Sequence, residues 1–343
     1  MPAYAAPPTS ATGLSTARLV RMGVAIEWWE RHQIACYLGA LIVGATAGLA
    51  LPMIVQPSAL LITPALGILL FATFLGVPFA RIGAAVRDLR FLAALLLLNF
   101  VVAPIVAFGL SRVVANDAAI LIGLLLVLLT PCIDYVIVFA GIAGGAADRL
   151  LAASPILMIV QMVLLPGYLW LFGGGEPLAA VDPEPFVEAL VWLIIVPLAL
   201  AAGVQWLARR HGAAAQIGGA VMAGAAASMV PLMMLVLAAV VASQIAAIGH
   251  RVGSLIAIVP IFGAFAVIMA LTGWWLARGF GLDIGGGRAL VFSGVTRNSL
   301  VVLPLALALP ASLELAPLVV VTQTLVELVV MVAGIRLIPR LVR

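Results

Sequence analysis

The stretch Phe91-Leu-Ala-Ala-Leu-Leu-Leu-Leu-Asn-Phe100 is apolar on every face that it could present to its surroundings. A strand of a membrane β-barrel alternates apolar and polar side chains, and this stretch does not alternate. Helices and closed barrels are the two structures that satisfy backbone hydrogen bonds in lipid. The stretch therefore predicts a transmembrane α-helix and, by extension, an all-α polytopic membrane protein.

The composition of the whole chain supports this prediction. Hydrophobic residues make up 65% of the sequence and charged residues only 9%, whereas a water-exposed surface needs far more charge. The lipid bilayer must be the main solvent. A helix needs about 20 apolar residues to cross the hydrocarbon core, so the chain has room for about ten transmembrane helices.

The hydrophobic segments give the approximate positions of these spans. They lie near residues 33–53, 59–79, 91–112, 118–144, 150–173, 186–208, 216–247, 253–277, 288–309 and 313–338.

The arginines provide an independent test of this map, because basic residues accumulate on the cytoplasmic side of a membrane. All seventeen basic residues are arginine, and fourteen fall on one side if the N-terminus is cytoplasmic. We therefore predict a plasma-membrane protein, of the bacterial inner-membrane type, with both termini in the cytoplasm. The net charge of +4 then reflects topology, and a nucleic-acid partner is not indicated.

The predicted domains follow from the same map. Residues 1–32 form a cytoplasmic tail that includes either an interfacial helix or a solvated segment, and residues 339–343 form a second tail. Five spans lie in 33–173 and five in 186–338, joined by an extracytoplasmic linker at 174–185. Because five is odd, the halves would be inverted relative to each other, as in many secondary transporters.

The fourth span of each half is interrupted at its middle. Span 4 contains Thr130-Pro131-Cys132-Ile133-Asp134-Tyr135, and span 9 contains Ser293-Gly294-Val295-Thr296-Arg297-Asn298-Ser299. We assign the two breaks to Pro131 and Gly294, and we expect the two discontinuous helices to cross. Matching interruptions in the two halves are the best sequence indication of a substrate site.

Ionisable residues near the middle of a membrane are costly and need a partner or water. Asp134 and Arg297 lie in the two breaks, so we predict that they form a buried pair. This pair either fixes the crossing or takes part in transport, with Asp134 carrying a proton. Glu327, midway along span 10, is a second candidate proton carrier, or a protonated carboxyl bonded to a neighbouring helix.

Cys132 is a soft sulfur ligand beside the first break, whereas Cys36 is expected to pack as a small hydrophobic residue. Neutral ligands for a cargo would come from Thr130, Ser293, Thr296 and Asn298, joined by Arg297 as a charged one. Two further polar residues, Asn99 and Gln161, are expected to join helices through hydrogen bonds.

Catalytic signatures are missing from the sequence. It has no Walker loop, GxSxG elbow or HExxH motif, and its three histidines do not cluster. We therefore predict neither enzyme activity, cofactor nor metal site, and no partner ATPase is indicated.

These residues resemble the bile acid/sodium symporter superfamily over residues 33–340, and within it an outlying member of the arsenite efflux permeases of arsenical resistance. The resemblance lies in Pro131-Cys132 on the fourth span, in Pro231 of the seventh, in Ser293 to Pro304 of the ninth with Asn298 at the family's asparagine, and in Glu327. It implies a panel domain, a core domain and alternating access, with cargo bound near the helix crossing.

Two positions depart from the sodium-coupled members. These have a glutamate five residues before the asparagine and a glutamine immediately before it, where this chain has Ser293 and Arg297. Because a fixed guanidinium would repel sodium, we expect proton coupling. The preferred function is efflux of arsenite, antimonite or a related arsenical by an antiporter. The alternatives are an organic-anion carrier in which Arg297 binds the anion, and a membrane receptor or assembly subunit.

Overall fold

The structure is a computed structural model, and it describes residues 32, 35–76, 87–133, 135–173, 191–248 and 252–343. These residues are almost entirely helical, which confirms the all-α polytopic prediction. The predicted tail before residue 32 and the predicted linker at 174–185 lie outside the described residues.

The α-helices are α1 (Ala35–Ala50), α2 (Val55–Gly76), α3 (Leu89–Leu97), α4 (Ala103–Ser111), α5 (Ala118–Leu128), α6 (Tyr135–Ile142), α7 (Ala147–Gly173), α8 (Val196–Ala208), α9 (Ala213–Ile248), α10 (Val252–Gly279), α11 (Ile284–Val295), α12 (Ser299–Leu307) and α13 (Ala316–Leu341). A π-helical turn at Leu98–Val102 joins α3 to α4, and another at Val191–Ile195 leads into α8.

Within the described ranges, six helical segments are long and apolar enough to cross a bilayer alone. Four shorter apolar helices are α1, α5, α8 and α11. Two of these four, α5 and α11, stop at the predicted interruptions. The total of ten spans and the inverted repeat stay predictions. The last helix runs to Leu341, beyond the expected end of span 10 at residue 338.

The outer surface of the helices is apolar, as a lipid solvent requires. Leu60, Val163 and Trp275 expose 79%, 71% and 66% of their surface. In water, large side chains so exposed would form patches prone to association. Together with the long apolar helices, they identify an integral multi-pass membrane protein.

The chain divides into two compact units. The first contains α1, α2, α8 and nearly all of α9; the second contains α3 to α7 and α10 to α13. Each unit therefore draws helices from both halves of the sequence. In the first unit, the Gln205 side chain of α8 donates to the carbonyl oxygens of Phe74 and Leu75 at the end of α2, at 3.2 and 3.1 Å.

Acidic residues start several helices of the second unit. The carboxylate of Asp117 accepts hydrogen bonds from the backbone N–H groups of Ala119 and Ile120, both at 3.1 Å, and so caps α5. Asp88 caps α3 in the same way through the N–H group of Phe91 at 3.2 Å. Such caps satisfy amides that would otherwise lack partners at a helix start.

Arg149 joins the starts of three helices in this unit. Its guanidinium lies 3.3 Å from the Asp88 carboxylate before α3 and 2.5 Å from the Asp283 carboxylate before α11. Burial alone would raise the pKa of Asp283, but the hydrogen bond and the positive charge of Arg149 outweigh it, so the pKa lies below its ordinary value. This ion cluster fixes where α11 enters the unit, and α11 leads to the second break.

A glycine sets the close approach of α5 to α13. A methyl group added at Gly123 would lie 2.8 Å from the carbonyl oxygen of Ala316 and 2.9 Å from its Cα atom. Because glycine has no side chain, the two backbones can approach closely. Such close van der Waals packing holds helices together in lipid, where burying apolar side chains gives little hydrophobic gain.

We expect Gly123→Ala to destabilise the protein, because backbone atoms of α13 cannot move aside as a flexible side chain would. The cost of such overpacking is about 1–3 kcal/mol. The matched control is Gly109→Ala in α4, where nothing lies within 4 Å of the added methyl group. Thermal unfolding of both variants in detergent measures the difference, and equal melting temperatures would refute the close packing of α5 on α13.

Candidate functional site

Both predicted interruptions are present, and they cross. α5 ends at Leu128 and α6 begins at Tyr135, while α11 ends at Val295 and α12 begins at Ser299. Pro131 explains the first break, because proline has no N–H group and disfavours a helical conformation in the residue before it.

The two interrupted stretches pair through their backbones. The N–H group of Asn298 donates to the carbonyl of Thr130 at 2.8 Å, and that of Cys132 donates to the carbonyl of Thr296 at 3.4 Å. These bonds place Pro131 opposite Arg297 in a short antiparallel bridge. Backbone groups freed from the helices are therefore satisfied by the opposite break, as lipid cannot satisfy them.

Four helix termini meet at this crossing. The C-terminal ends of α5 and α11 carry partial negative charge, and the N-terminal ends of α6 and α12 carry partial positive charge. Discontinuous helices of this kind form the binding sites of many secondary transporters. We call the residues 128–132 and 293–299, together with the side chains that touch them, the crossing.

Arg297 is fully buried at the crossing, with 0% of its surface exposed. Its Nη1 atom donates to the carbonyl of Leu128 at 3.2 Å. Its Nη2 atom lies 2.9 Å from the carbonyl oxygen of Ser293 and 2.6 Å from that of Gly294. The guanidinium therefore binds the carbonyl ends of both α5 and α11.

Asn99 completes this set of acceptors. Its Oδ1 atom accepts from Arg297 Nη2 at 2.9 Å, and its Nδ2 atom donates to the Ser293 hydroxyl at 3.0 Å and to the Leu95 carbonyl at 3.1 Å. Asn99 lies in the π-helical turn between α3 and α4, a type of turn often found at functional sites. The sequence signal was one amide within an otherwise apolar stretch, which predicted helix joining but not contact with Arg297.

Glu327 of α13 also reaches the crossing, and 3% of its surface is exposed. Its Oε2 atom accepts a hydrogen bond from the backbone N–H group of Arg297 at 2.7 Å and another from the Gln323 side chain. Glu327 thus holds the unwound stretch of span 9 in place.

A small cavity lies beside this carboxyl group. Its volume is about 10 Å³, and Glu327, Gln323 and Phe265 are among the residues that line it. This is about the smallest cavity volume that can hold one water molecule. The Oε1 atom of Gln323 is buried without a hydrogen-bond partner in the described part of the chain. The Phe265 ring faces the Arg297 guanidinium, with 5.2 Å between the guanidinium carbon and the ring centroid.

The predicted pair of Asp134 and Arg297 cannot be placed in the same way, because Asp134 lies outside the described residues. The pairing stays a prediction. The guanidinium contacts described above are to backbone carbonyls and to the Asn99 amide.

The candidate ligands Thr130, Thr296 and Ser293 lie at the crossing, and the hydroxyl group of each already has a hydrogen-bond partner in the protein. Thr130 donates to the carbonyls of Leu126 and Val127 at 3.1 and 3.2 Å, and Thr296 donates to that of Phe292 at 2.8 Å. Ser293 accepts from Asn99. The two threonine hydroxyls therefore bond within the ends of α5 and α11, and the Ser293 hydroxyl joins α11 to the π-helical turn.

Cys132 is buried directly after Pro131, with 1% of its surface exposed. Cys36, the other cysteine, is only partly buried and belongs to the first unit. The structure therefore places one thiol at the crossing, as the sequence predicted, without assigning it a role.

Asn298 and Ser299 differ from the three residues above, because each has a buried polar side-chain atom without a hydrogen-bond partner in the described ranges. The Oδ1 atom of Asn298 caps α12 by accepting from the N–H group of Val301 at 3.3 Å. Its Nδ2 atom, and the Oγ atom of Ser299, are buried and have no hydrogen-bond partner in the described ranges. Both lie at the start of α12.

Gly294 has a different place from the one predicted. The break begins at Thr296, and Gly294 is inside α11, one residue before its end. A methyl group added at Gly294 would lie 2.8 Å from Leu98 Cδ2 and 3.4 Å from the Met269 carbonyl. The glycine thus permits close packing of α11 and offers its carbonyl to Arg297, whereas the extended backbone of Thr296 ends the helix.

Gln161 of α7, predicted to join helices, is buried without a hydrogen-bond partner on either side-chain polar atom in the described part of the chain. Of the two amides given that role from sequence, only Asn99 has such bonds.

Comparison with known proteins agrees with this geometry. The model of the Sodium Bile acid symporter family matches residues 63–251, which is more than half of the chain and includes the first break. No curated protein matches the chain. Members of this family are transporters rather than enzymes. The long apolar helices and this match together show that the chain belongs to the sodium bile acid symporter family and is an integral multi-pass membrane transporter.

Proposed function

We propose that this protein is a secondary active transporter that carries a small organic anion across the plasma membrane, coupled to protons. The cargo binds at the crossing, against the start of α12. The observation that carries the proposal is the pair of buried hydrogen-bond donors without partners, Asn298 Nδ2 and Ser299 Oγ.

Buried donors without partners are costly. Each costs about 1–3 kcal/mol relative to a satisfied group. Such groups persist where a ligand supplies the missing acceptor. Carboxylate oxygens would do so here, and the Ser299 hydroxyl would direct its proton towards them.

The helix itself adds to this preference. The first turn of a helix presents backbone N–H groups without intrahelical partners, and the helix dipole favours negative charge there. Half-helices at the middle of transporters use this end for anionic groups of the cargo. Asn298 and Ser299, which carry the two side-chain donors, stand at this end of α12.

Arg297 has a supporting role in this proposal. Its Nη1 and Nη2 groups donate to four protein oxygens. We therefore assign direct contact with the anion to Asn298, Ser299 and the amides of α12, and we assign to Arg297 a fixed positive charge behind them. This differs from the sequence prediction, in which Arg297 itself held the anion.

Glu327 is the proposed carrier of the coupling proton. As a carboxylate it accepts from the Arg297 backbone and from Gln323. Protonation converts one carboxyl oxygen into a donor and weakens its hold on the unwound stretch. The adjacent cavity and the unpartnered Gln323 oxygen give a water and its proton a place to enter. Asp134 stays a second candidate from the sequence.

A second candidate cargo is arsenite or antimonite, and Cys132 is the observation that favours it. Trivalent arsenic binds thiols, and Cys132 is a buried residue whose backbone N–H group bonds to the opposite break. One thiol would be joined by oxygen ligands, which suits a carrier that must release its load.

Uptake into everted membrane vesicles, across a panel of organic anions and arsenite, separates the two cargoes. For an organic anion we expect Ser299→Ala to raise KM about ten- to hundredfold, because a hydrogen bond to a charged group is worth about 1.5–3 kcal/mol. Ser154→Ala is the matched control: this buried serine donates to the carbonyl of Leu151 in its own helix, so its loss should leave uptake unchanged.

If the cargo is arsenite, we expect the same assay to depend on Cys132. Cys132→Ser would abolish arsenite uptake, and Cys36→Ser, the change at the other cysteine, would not. If wild-type protein takes up no arsenite, the arsenite assignment fails, and if Cys132→Ser takes up arsenite as wild type does, the role of Cys132 fails. If purified protein in vesicles moves nothing in the panel, the transport proposal fails in favour of a receptor role.

We expect Glu327→Gln to uncouple transport from the proton gradient. The amide cannot release a proton, so accumulation against a gradient should fall to background while exchange of cargo across the membrane persists. Glu314→Gln is the control, because Glu314 is exposed between helices. Accumulation by Glu327→Gln at the wild-type level would exclude Glu327 as the proton carrier.

A further inference from the structure

Four of the oxygen atoms that accept hydrogen bonds from the Arg297 guanidinium belong to neutral groups, and we call these four the cage. They are the carbonyl oxygens of Leu128, Ser293 and Gly294 and the Oδ1 atom of Asn99, at 3.2, 2.9, 2.6 and 2.9 Å from its nitrogens. Three elements supply them: α5, α11 and the π-helical turn after α3. No carboxylate belongs to this set of four.

This cage has the character of a cation site. Each helix C-terminus carries about −0.5 of an elementary charge, and the ends of α5 and α11 converge here. Carbonyls at unwound helix ends coordinate sodium ions or protons in secondary transporters. Neutral oxygens at such ends would bind a monovalent cation if no side chain were present.

A guanidinium fills the cage in this chain. Arginine keeps its positive charge under all ordinary conditions, and its planar fork directs several donors at once. The Phe265 ring covers one face of the group at 5.2 Å, and the side chain is 0% exposed. The charge is attached to the backbone of the break, so it cannot be released on either side of the membrane.

We infer that Arg297 is a tethered cation that permanently occupies a monovalent-cation site at the crossing, so that transport needs no sodium or potassium ion. Removing the side chain should create a binding site for a small cation, best matched by guanidinium. The inference goes beyond the proposed cargo and holds for either candidate.

Thermal unfolding of the purified protein tests the cage without any cargo. Arg297→Ala should be less stable than wild type, and guanidinium chloride at low millimolar concentration should raise its melting temperature in a concentration-dependent way, as any ligand of the folded state does. Choline chloride at equal ionic strength should not. Sodium or potassium should give a smaller rise.

Arg112→Ala is the matched control variant. Arg112 also donates to a helix carbonyl, that of Phe172 at 2.8 Å, but it is exposed. Its removal leaves no enclosed cage, so guanidinium should shift its melting temperature no more than that of wild type. A folded Arg297→Ala protein that responds to guanidinium no more than Arg112→Ala does would overturn the inference.

Two further measurements keep the test decisive if Arg297→Ala does not fold. Arg297→Lys keeps a positive charge at the site and should fold with a melting temperature that does not depend on sodium. Wild-type protein should show the same melting temperature, and the same rate for any cargo that it moves, in sodium and in choline media. A specific sodium requirement in wild type would overturn the inference even if the cargo proposal holds.

Discussion

Interrupting a helix inside a membrane leaves backbone carbonyl and amide groups without partners where the lipid has none to offer. The arrangement of the second unit follows from meeting this requirement at two breaks together. The breaks bond to each other through Thr130 and Asn298 and through Cys132 and Thr296. Arg297 then takes up the carbonyl ends of α5 and α11, and Glu327 takes up the backbone N–H group of Arg297 itself.

The two kinds of helix end at the crossing differ in how fully the protein satisfies their hydrogen-bonding groups. The carbonyl ends at the crossing are bonded to a charged side chain from the protein. At the start of α12, the buried donors of Asn298 and Ser299 have no acceptor in the described part of the chain. An anionic cargo would satisfy these donors, and its charge would be balanced by a guanidinium that stays in place. On this account the protein supplies the cation at the crossing, and the cargo supplies the anion.

The sequence predicted the fold from residues whose effect is local. The apolar stretch around Phe91 required a helix, and Pro131 required a break, because proline acts on its own backbone. The contacts of Asn99 were not predictable in this way, since they depend on the π-helical turn that directs its amide towards residues almost two hundred positions away. The sequence predicted a break at Gly294, whereas this residue lies inside α11 and packs against Leu98.

The proposed electrostatics of the crossing depend on the position of the Arg297 side chain. A cryo-electron microscopy structure of the wild-type protein in lipid nanodiscs, determined in sodium-containing and in sodium-free buffer, tests it most directly. We predict guanidinium density between the carbonyl of Leu128 and those of Ser293 and Gly294 in both buffers. Density for an ion among these carbonyls in sodium buffer, with the Arg297 side chain displaced, would contradict it.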